Sequence, residues 1–179
     1  MKTEDLSHKG YDVIGNCRKL AEEMTFKNLY SIICAHGNIE AAVWLEGDDP
    51  HSMTFDQLAQ LTDNYAEALS HTFGQSGRVC IAVDACKEWF PLFWGIIRSG
   101  HDVLTVDPSM PDEKVAYLMR QAGCTYLVSS KARKVSDGTS QLLVSDLAKA
   151  PVISNYSPVW GHDIALCTSG TTAECRVYV

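Results

Sequence analysis

Between Gly77 and Ser129 the chain alternates short apolar runs with helix-length stretches, joined by links of a few residues. Val79-Cys80-Ile81-Ala82-Val83 is apolar throughout, which marks a strand buried on both faces. A helix is expected over about 86 to 98, with Asp84 as its N-cap and Pro91 tolerable only near the first turn. Trp89, Phe90, Leu92, Phe93, Trp94, Ile96 and Ile97 surround that helix, so it should be largely buried. Gly100 closes it, and His101 to Val106 is the next strand. Asp107-Pro108-Ser109-Met110-Pro111 is a turn that places Pro111 at the first position of another helix. Val115, Leu118, Met119 and Ala122 line its inner face, Gly123 ends it, and Thr125 to Ser129 is a third strand. Strand–helix–strand–helix–strand with short links makes two consecutive βαβ units, hence a parallel sheet with right-handed crossovers.

The residues before this array should cover it. Residues 1 to 15 read as loosely ordered, with a short helix following that sets Cys17, Leu20, Ala21 and Met24 on one face. Thr25 caps the next helix, in which Phe26, Leu29, Tyr30 and Ile33 recur at helical spacing. A hairpin is expected over 38 to 54: Ala41 to Leu45 as a strand, Glu46 to Pro50 as the turn, and Ser52 to Thr54 as the return. Thr54 and Gln57 then form a capping box for a long helix whose stripe runs from Phe55 to Phe73. The fold class is therefore α/β: a parallel β-sheet of βαβαβ units flanked by helices, plus an N-terminal hairpin.

After the array, 130 to 140 reads as a surface loop, Gln141 to Val144 as a short strand, and 149 to 163 as extended with Trp160 as a packing anchor. Ile164 to Cys167 is a last strand, and it opens into Thr168-Ser169-Gly170-Thr171-Thr172. Four hydroxyls around one glycine can grip an anion with main-chain N–H and O–H donors. Gly170 lacks a Cβ, so the backbone there can approach a phosphate closely. The position fits, because ligands of open α/β sheets sit at the carboxyl ends of strands. A plain Ser/Thr/Gly turn is the alternative. Neither the G-x-x-x-x-G-K-[ST] loop nor the G-x-G-x-x-G fingerprint is present. Val177 and Tyr178 look like strand residues again.

A formal net charge of −7 over 179 residues argues against nucleic acid as the main partner. Seven scattered cysteines, several inside apolar runs and none in a C-x-x-C pair, point to reduced, buried thiols in a cytoplasmic protein without a zinc site. The polar start MKTEDLSHKGYD is no signal peptide, and no apolar run reaches membrane-spanning length. Asp84 and Asp107 read as caps or turn formers, and Cys167 as a small buried apolar residue. His36, His71, His101 and His162 read as surface or cap residues.

Three stretches together resemble the adenylate-forming, AMP-binding family of acyl-CoA synthetases, peptide-synthetase adenylation domains and luciferases. TFDQL (Thr54 to Leu58) is similar to its T-[FY]-x-[EQ]-L helix start. RSGHDVLTVDPSMPDEKVAYLMRQAG (Arg98 to Gly123) is similar to K-A-G-x-x-[YV]-[VL]-P-[LI]-[DN]-P and the P-x-[ED]-[RK]-[LIV]-x-Y-[LM] that follows. TSGTT (Thr168 to Thr172) is similar to the start of T-S-G-[ST]-T-G-x-P-K-G. The resemblance implies a ligase that joins a carboxylic acid to AMP, using Mg²⁺ and ATP, and then passes the acyl group to coenzyme A or a carrier protein's phosphopantetheine. It implies that Thr168, Ser169, Thr171 and Thr172 donate hydroxyls to the β and γ phosphates, with Gly170 allowing close approach.

The resemblance also implies an organisation: residues 1–24 as an extension, and 25–179 as a partial AMP-binding domain that stops at the phosphate loop. Such a chain is expected to be inactive alone, and to expose apolar surface that could drive self-association. Ala173 stands where the family has glycine, and Cys175-Arg176-Val177 where it has Pro-Lys-Gly. These departures motivate a second reading, a non-catalytic α/β nucleotide-binding or interaction module on the same scaffold. A third is an unrelated doubly wound nucleotide-binding protein.

Overall fold

The computed structural model describes residues 25–74, 76–149, 156–168 and 176–178. The short helix expected around Cys17 to Met24 lies outside these. Helix α1 (Phe26–Cys34) starts where the Thr25 hydroxyl accepts the Asn28 amide at 3.2 Å. Strands β1 (Glu40–Glu46) and β2 (Asp49–Thr54) form the antiparallel hairpin. Its turn is tighter than expected, because Asp49 and Pro50 already pair with Glu46 and Leu45. Helix α2 (Phe55–Phe73) opens on the expected capping box: Gln57 N donates to Thr54 Oγ1 at 3.3 Å, and Thr54 N donates to Gln57 Oε1 at 2.8 Å. Both exchanges satisfy amides that the first helical turn leaves without partners.

The βαβαβ array follows as β3 (Arg78–Ala82), α3 (Trp89–Arg98), β4 (Asp102–Thr105), α4 (Asp112–Ala122) and β5 (Cys124–Ser129). Strand β6 (Ser140–Leu143), a one-turn helix α5 (Val144–Leu147), β7 (Ile164–Thr168) and β8 (Arg176–Tyr178) complete it. The sheet order is β6-β5-β3-β4-β7-β8. All pairings are parallel except β7 with β8, which is antiparallel. The expected parallel sheet with flanking helices and an N-terminal hairpin is thus observed, with one antiparallel strand added at the edge. Among the described residues, no helix is long and apolar enough to cross a membrane.

Two apolar cores lie on opposite faces of this sheet. One joins Leu69 and Phe73 of α2 and Leu92, Ile96 and Ile97 of α3 to Val79, Ile81 and Val103. The other joins Val115, Leu118 and Met119 of α4 to Cys80, Leu104 and Leu127. Alternate residues of β3 therefore feed different cores, which is why that run had to be apolar throughout.

Helix α3 begins at Trp89, later than expected, and Asp84 does not cap it. The N-cap is Glu88, without a side-chain bond, while the Asp84 amide donates to Ser130 Oγ at 2.9 Å. Starting at Trp89 places Pro91 in the first turn, where an amide would have no intrahelical acceptor. The helix is not buried all round either: Phe90 is 54 % exposed. Pro111 likewise sits one place earlier than expected, as the N-cap of α4. Trp160 is the anchor its composition suggested. It packs on Tyr30 with ring centroids 5.7 Å apart, and the Arg98 guanidinium lies 5.3 Å from its ring and 4.8 Å from that of Tyr30. Arg98 is also ion-paired with Asp63.

Two contacts set how tightly the layers close. Gly95 brings α3 against α2: a Cβ there would lie 2.9 Å from Tyr65 Cβ and 3.3 Å from the Thr62 carbonyl oxygen. Arg133, only 8 % exposed, reaches back from the loop after β5 to the loop after β4. Its Nη1 donates to Met110 O at 3.0 Å and to Asp112 Oδ1 at 3.1 Å, and its Nη2 donates to Pro108 O. Asp112 Oδ2 accepts the Lys134 amide at 2.9 Å, which holds its carboxyl below the usual carboxylate range. A planar, always-charged fork suits this convergence of carbonyls and carboxylate.

Gly95→Ala should destabilise the protein by about 1–3 kcal/mol through overpacking, measured by urea unfolding. Arg133→Met should lower stability by about 1–2 kcal/mol, since three part-buried acceptors lose a charged donor. Arg133→Lys should recover only part of that loss, because an ammonium cannot reproduce the fork. Unfolding curves that overlay the unaltered protein would contradict both assignments.

Candidate functional site

Strands β3, β4, β5 and β7 run parallel, so their carboxyl ends share one edge of the sheet. The chain leaves β3 toward the face that carries α3, and leaves β4 toward the opposite face that carries α4. Adjacent strands whose loops depart to opposite faces open a crevice between them. A cleft of about 520 Å³ lies there, lined by Val83 and Cys86 after β3, Trp89 and Phe90 of α3, and Thr105 and Pro108 at the end of β4. None of these side chains is charged. Trp89 is stacked on Phe93 at 5.5 Å and meets Phe90 edge-on at 5.4 Å, giving the cleft an aromatic wall.

Strand β7 is brought to this edge by contacts at its other end. Asp102 Oδ1 accepts the amides of His162 and Asp163 at 2.9 and 3.0 Å, and Val103 N donates to Asp163 O at 3.0 Å. Gly161 N donates to Ile97 O at 2.7 Å, and a Cβ on Gly161 would collide with the His101 carbonyl. Glycine is thus required for the segment to lie this close. The register then runs Val103 with Ile164, Leu104 with Ala165, and Thr105 with Leu166. Beyond β4, the strand continues through Cys167 to Thr168, paired with Val177 and Arg176 of β8.

Thr168 therefore closes β7 at the carboxyl edge, opposite Arg176. Ser169, Gly170, Thr171 and Thr172, the other residues of the expected phosphate grip, lie outside the described residues. Arg176, which stands in place of the family's lysine, belongs to β8. Val177 and Tyr178 are strand residues as expected.

The other candidate residues fall as follows. Asp107 makes a local turn, its Oδ1 accepting the Ser109 amide at 2.8 Å, and hydrogen bonding from the Ser109 side chain, then from that amide, lowers its carboxyl below the ordinary range. Asp84 is exposed beside the cleft. Cys167 is half-buried and packs toward the α4 core. Cys80 is fully buried, and burial pushes its thiol up, whereas Cys86 is exposed. His36, His71 and His162 are exposed, as expected, but His101 is not: its relative exposure is 0 %. It is a core residue, placed there because β4 begins beneath Phe73 and Tyr126, whose rings lie 6.3 and 5.6 Å from it. Arg133 escaped sequence reasoning altogether. It stands within the basic run Lys131-Ala132-Arg133-Lys134, and nothing local distinguishes it from its solvated neighbours.

Comparison with known proteins gives this edge its context. The family model described as "AMP-binding enzyme" matches residues 34–174. Coprinoferrin synthetase of Coprinopsis cinerea is 30% identical over 106 residues, covering 54% of this chain and 4% of that protein. The chain thus spans a small part of the curated relatives it matches, 8% in the case of the Streptomyces viridochromogenes phosphinothricin tripeptide synthetase PhsB. Among solved structures, the N-terminal subdomain of Klebsiella oxytoca NpsA, in complex with 3-hydroxybenzoyl-AMSN, superimposes with a TM-score of 0.75 at 17% identity. That alignment covers 86% of this chain and 40% of the other, and it compares folds alone. With the family model spanning both core layers and the strand that ends at Thr168, the chain belongs to the AMP-binding family of adenylate-forming enzymes.

Proposed function

We propose that this chain is the opening part of the N-terminal subdomain of an ATP-dependent acid–thiol ligase, and that Thr168 to Thr172 form its phosphate grip. In this reading a carboxylate attacks the α-phosphate of Mg·ATP, the bond to the β-phosphate breaks, and pyrophosphate leaves. The acyl group then passes from the adenylate to a thiol. Main-chain amides around Gly170 and the hydroxyls of Thr168, Ser169, Thr171 and Thr172 hold the β and γ phosphates. Their contribution is positioning and charge stabilisation rather than covalent chemistry. Among the described residues no group of three His, Cys, Asp or Glu side chains converges. In this reading the divalent cation arrives bound to ATP.

The observation that carries the proposal is the path of β7. It leaves the parallel sheet at the carboxyl edge beside the crevice and is answered by β8, so the hydroxyl-rich loop spans two anchored ends. The peptide synthetases among the relatives favour carrier-borne phosphopantetheine over coenzyme A as the acceptor, and hence a carrier protein as partner. The chain spans 40% of the NpsA subdomain, which supports the further proposal that it does not complete adenylation alone. A non-catalytic module is the second reading, favoured by one observation: Arg176 is committed to β8 opposite Thr168 and is not part of the loop. Self-association belongs to the same proposal. It would cover Leu166 on the sheet and Val43 and Leu45 on the hairpin, which are 55 %, 60 % and 68 % exposed.

Calorimetric titration of Mg·ATP and pyrophosphate into the chain tests the loop. Gly170→Val should abolish binding, and Thr172→Ala should weaken it roughly tenfold, as the loss of one hydrogen bond implies. Binding unaffected by either change removes the loop from the site. ATP–pyrophosphate exchange by the chain alone would overturn its inactivity. In a protein carrying this chain together with the remaining domain, intact binding without exchange would favour the non-catalytic reading.

A further inference from the structure

The strongest unabsorbed feature is the pair Ser99–His101 at the amino edge of the sheet, opposite the proposed nucleotide site. Ser99 stands where the family pattern has alanine. Both residues are fully buried. The Ser99 hydroxyl donates to Ile96 O at 2.7 Å, so its hydrogen is engaged. Its oxygen is 2.8 Å from His101 Nδ1. A hydroxyl that has spent its hydrogen on a carbonyl can only accept from the ring, so Nδ1 carries the imidazole hydrogen. Nε2 is then the bare nitrogen of the neutral ring. It is buried without a hydrogen-bond partner among the described residues.

Among the described residues the ring's surroundings offer nothing to a second N–H. Phe73 from α2 and Tyr126 from β5 meet it edge-on, at interplanar angles of 79° and 90°. Tyr126 is the titratable residue of β5 whose ring meets it, and Ser99, the C-cap of α3, bonds its Nδ1. Asp102, next along β4, is the one charge acting on the ring among the described residues. Its carboxylate is engaged elsewhere, by the His162 and Asp163 amides and by Arg78 of β3 at 3.5 Å. Arg78 also faces Asp163 at 3.6 Å. The His101 backbone, meanwhile, is the surface on which Gly161 lies.

We propose that His101 is an acid-sensitive latch: as a neutral ring it closes the core beneath the 156–163 segment that delivers β7, and protonation releases that segment. A proton added at Nε2 creates a buried charged donor with no acceptor among the described residues, so the packed arrangement resists it. Burial accordingly lowers the ring's affinity for the proton, and Asp102 opposes this only in part. Because the folded state resists protonation while the unfolded chain accepts it near pH 6.5, the stabilisation is complete above that pH and is lost as pH falls below it. The consequence for function is directional. Acid loosens the strand that carries Thr168 without touching the loop itself.

Three measurements on the chain test this. Urea unfolding at pH 7.5 and pH 5.5 should show the folding equilibrium constant falling about tenfold more for the unaltered protein than for His101→Gln or His101→Leu. Equal pH dependence in all three overturns the proposal. Should the variants fail to fold, ¹⁵N-resolved spectra of the histidine rings in the unaltered protein decide it. They should show the hydrogen of His101 on Nδ1 at pH 7.5 and no titration near pH 6.5. A hydrogen on Nε2, or an ordinary titration, sinks it. Amide exchange, corrected for intrinsic rates, should show Gly161 and Val103 losing protection at pH 5.5 before the amides of α4 do. Simultaneous loss across the molecule would mean that His101 governs global stability and latches nothing.

Discussion

Parallel strands cannot be joined by tight turns, and everything in this protein follows from how that constraint is met around β3. The chain crosses from β3 to β4 over one face and from β4 to β5 over the other. Each crossover helix needs its own apolar partner surface, so β3 must present buried side chains in both directions. The same reversal separates the loops at the carboxyl edge and leaves the crevice between Val83 and Pro108. Fold and candidate site are therefore one consequence of a single topological choice.

Around that choice, a few polar contacts set positions that apolar packing leaves loose. Arg133 gathers the loop after β4 from beyond β5, with three carbonyl and carboxylate oxygens on one guanidinium. Asp102 does the same at the amino edge, accepting two amides of the strand that enters beside it. Arg98, between two rings and a carboxylate, binds α1 to the segment ahead of β7. Each links pieces far apart in sequence.

Local chemistry was legible wherever one residue's conformation or one helical turn decided the outcome. The Thr54–Gln57 capping box, the Thr25 cap, the turn at Asp107 and the end of α4 at Gly123 all stand where the residue types placed them. Legibility failed where a distant partner competed. Asp84 looked like a cap, yet its amide is taken by Ser130 and the helix waits for Pro91. His101 looked like a strand-start histidine, yet it is buried because Phe73 and Tyr126 close over it from other elements. Arg133 looked solvated, because a basic run carries no sign of which member turns inward.

The sequence by itself determined the architecture. A doubly buried strand, helix-length spacers and short links point to a parallel sheet of βαβ units, and the last apolar run joins that sheet as β7. Tertiary structure alone decided which polar side chains are buried, which strand neighbours which, and that Arg176 pairs across from Thr168 in β8. The physical reason is range. Periodicity and capping act within a few residues and are written in residue order, whereas buried hydrogen bonds and sheet order depend on segments that meet only after the chain has folded.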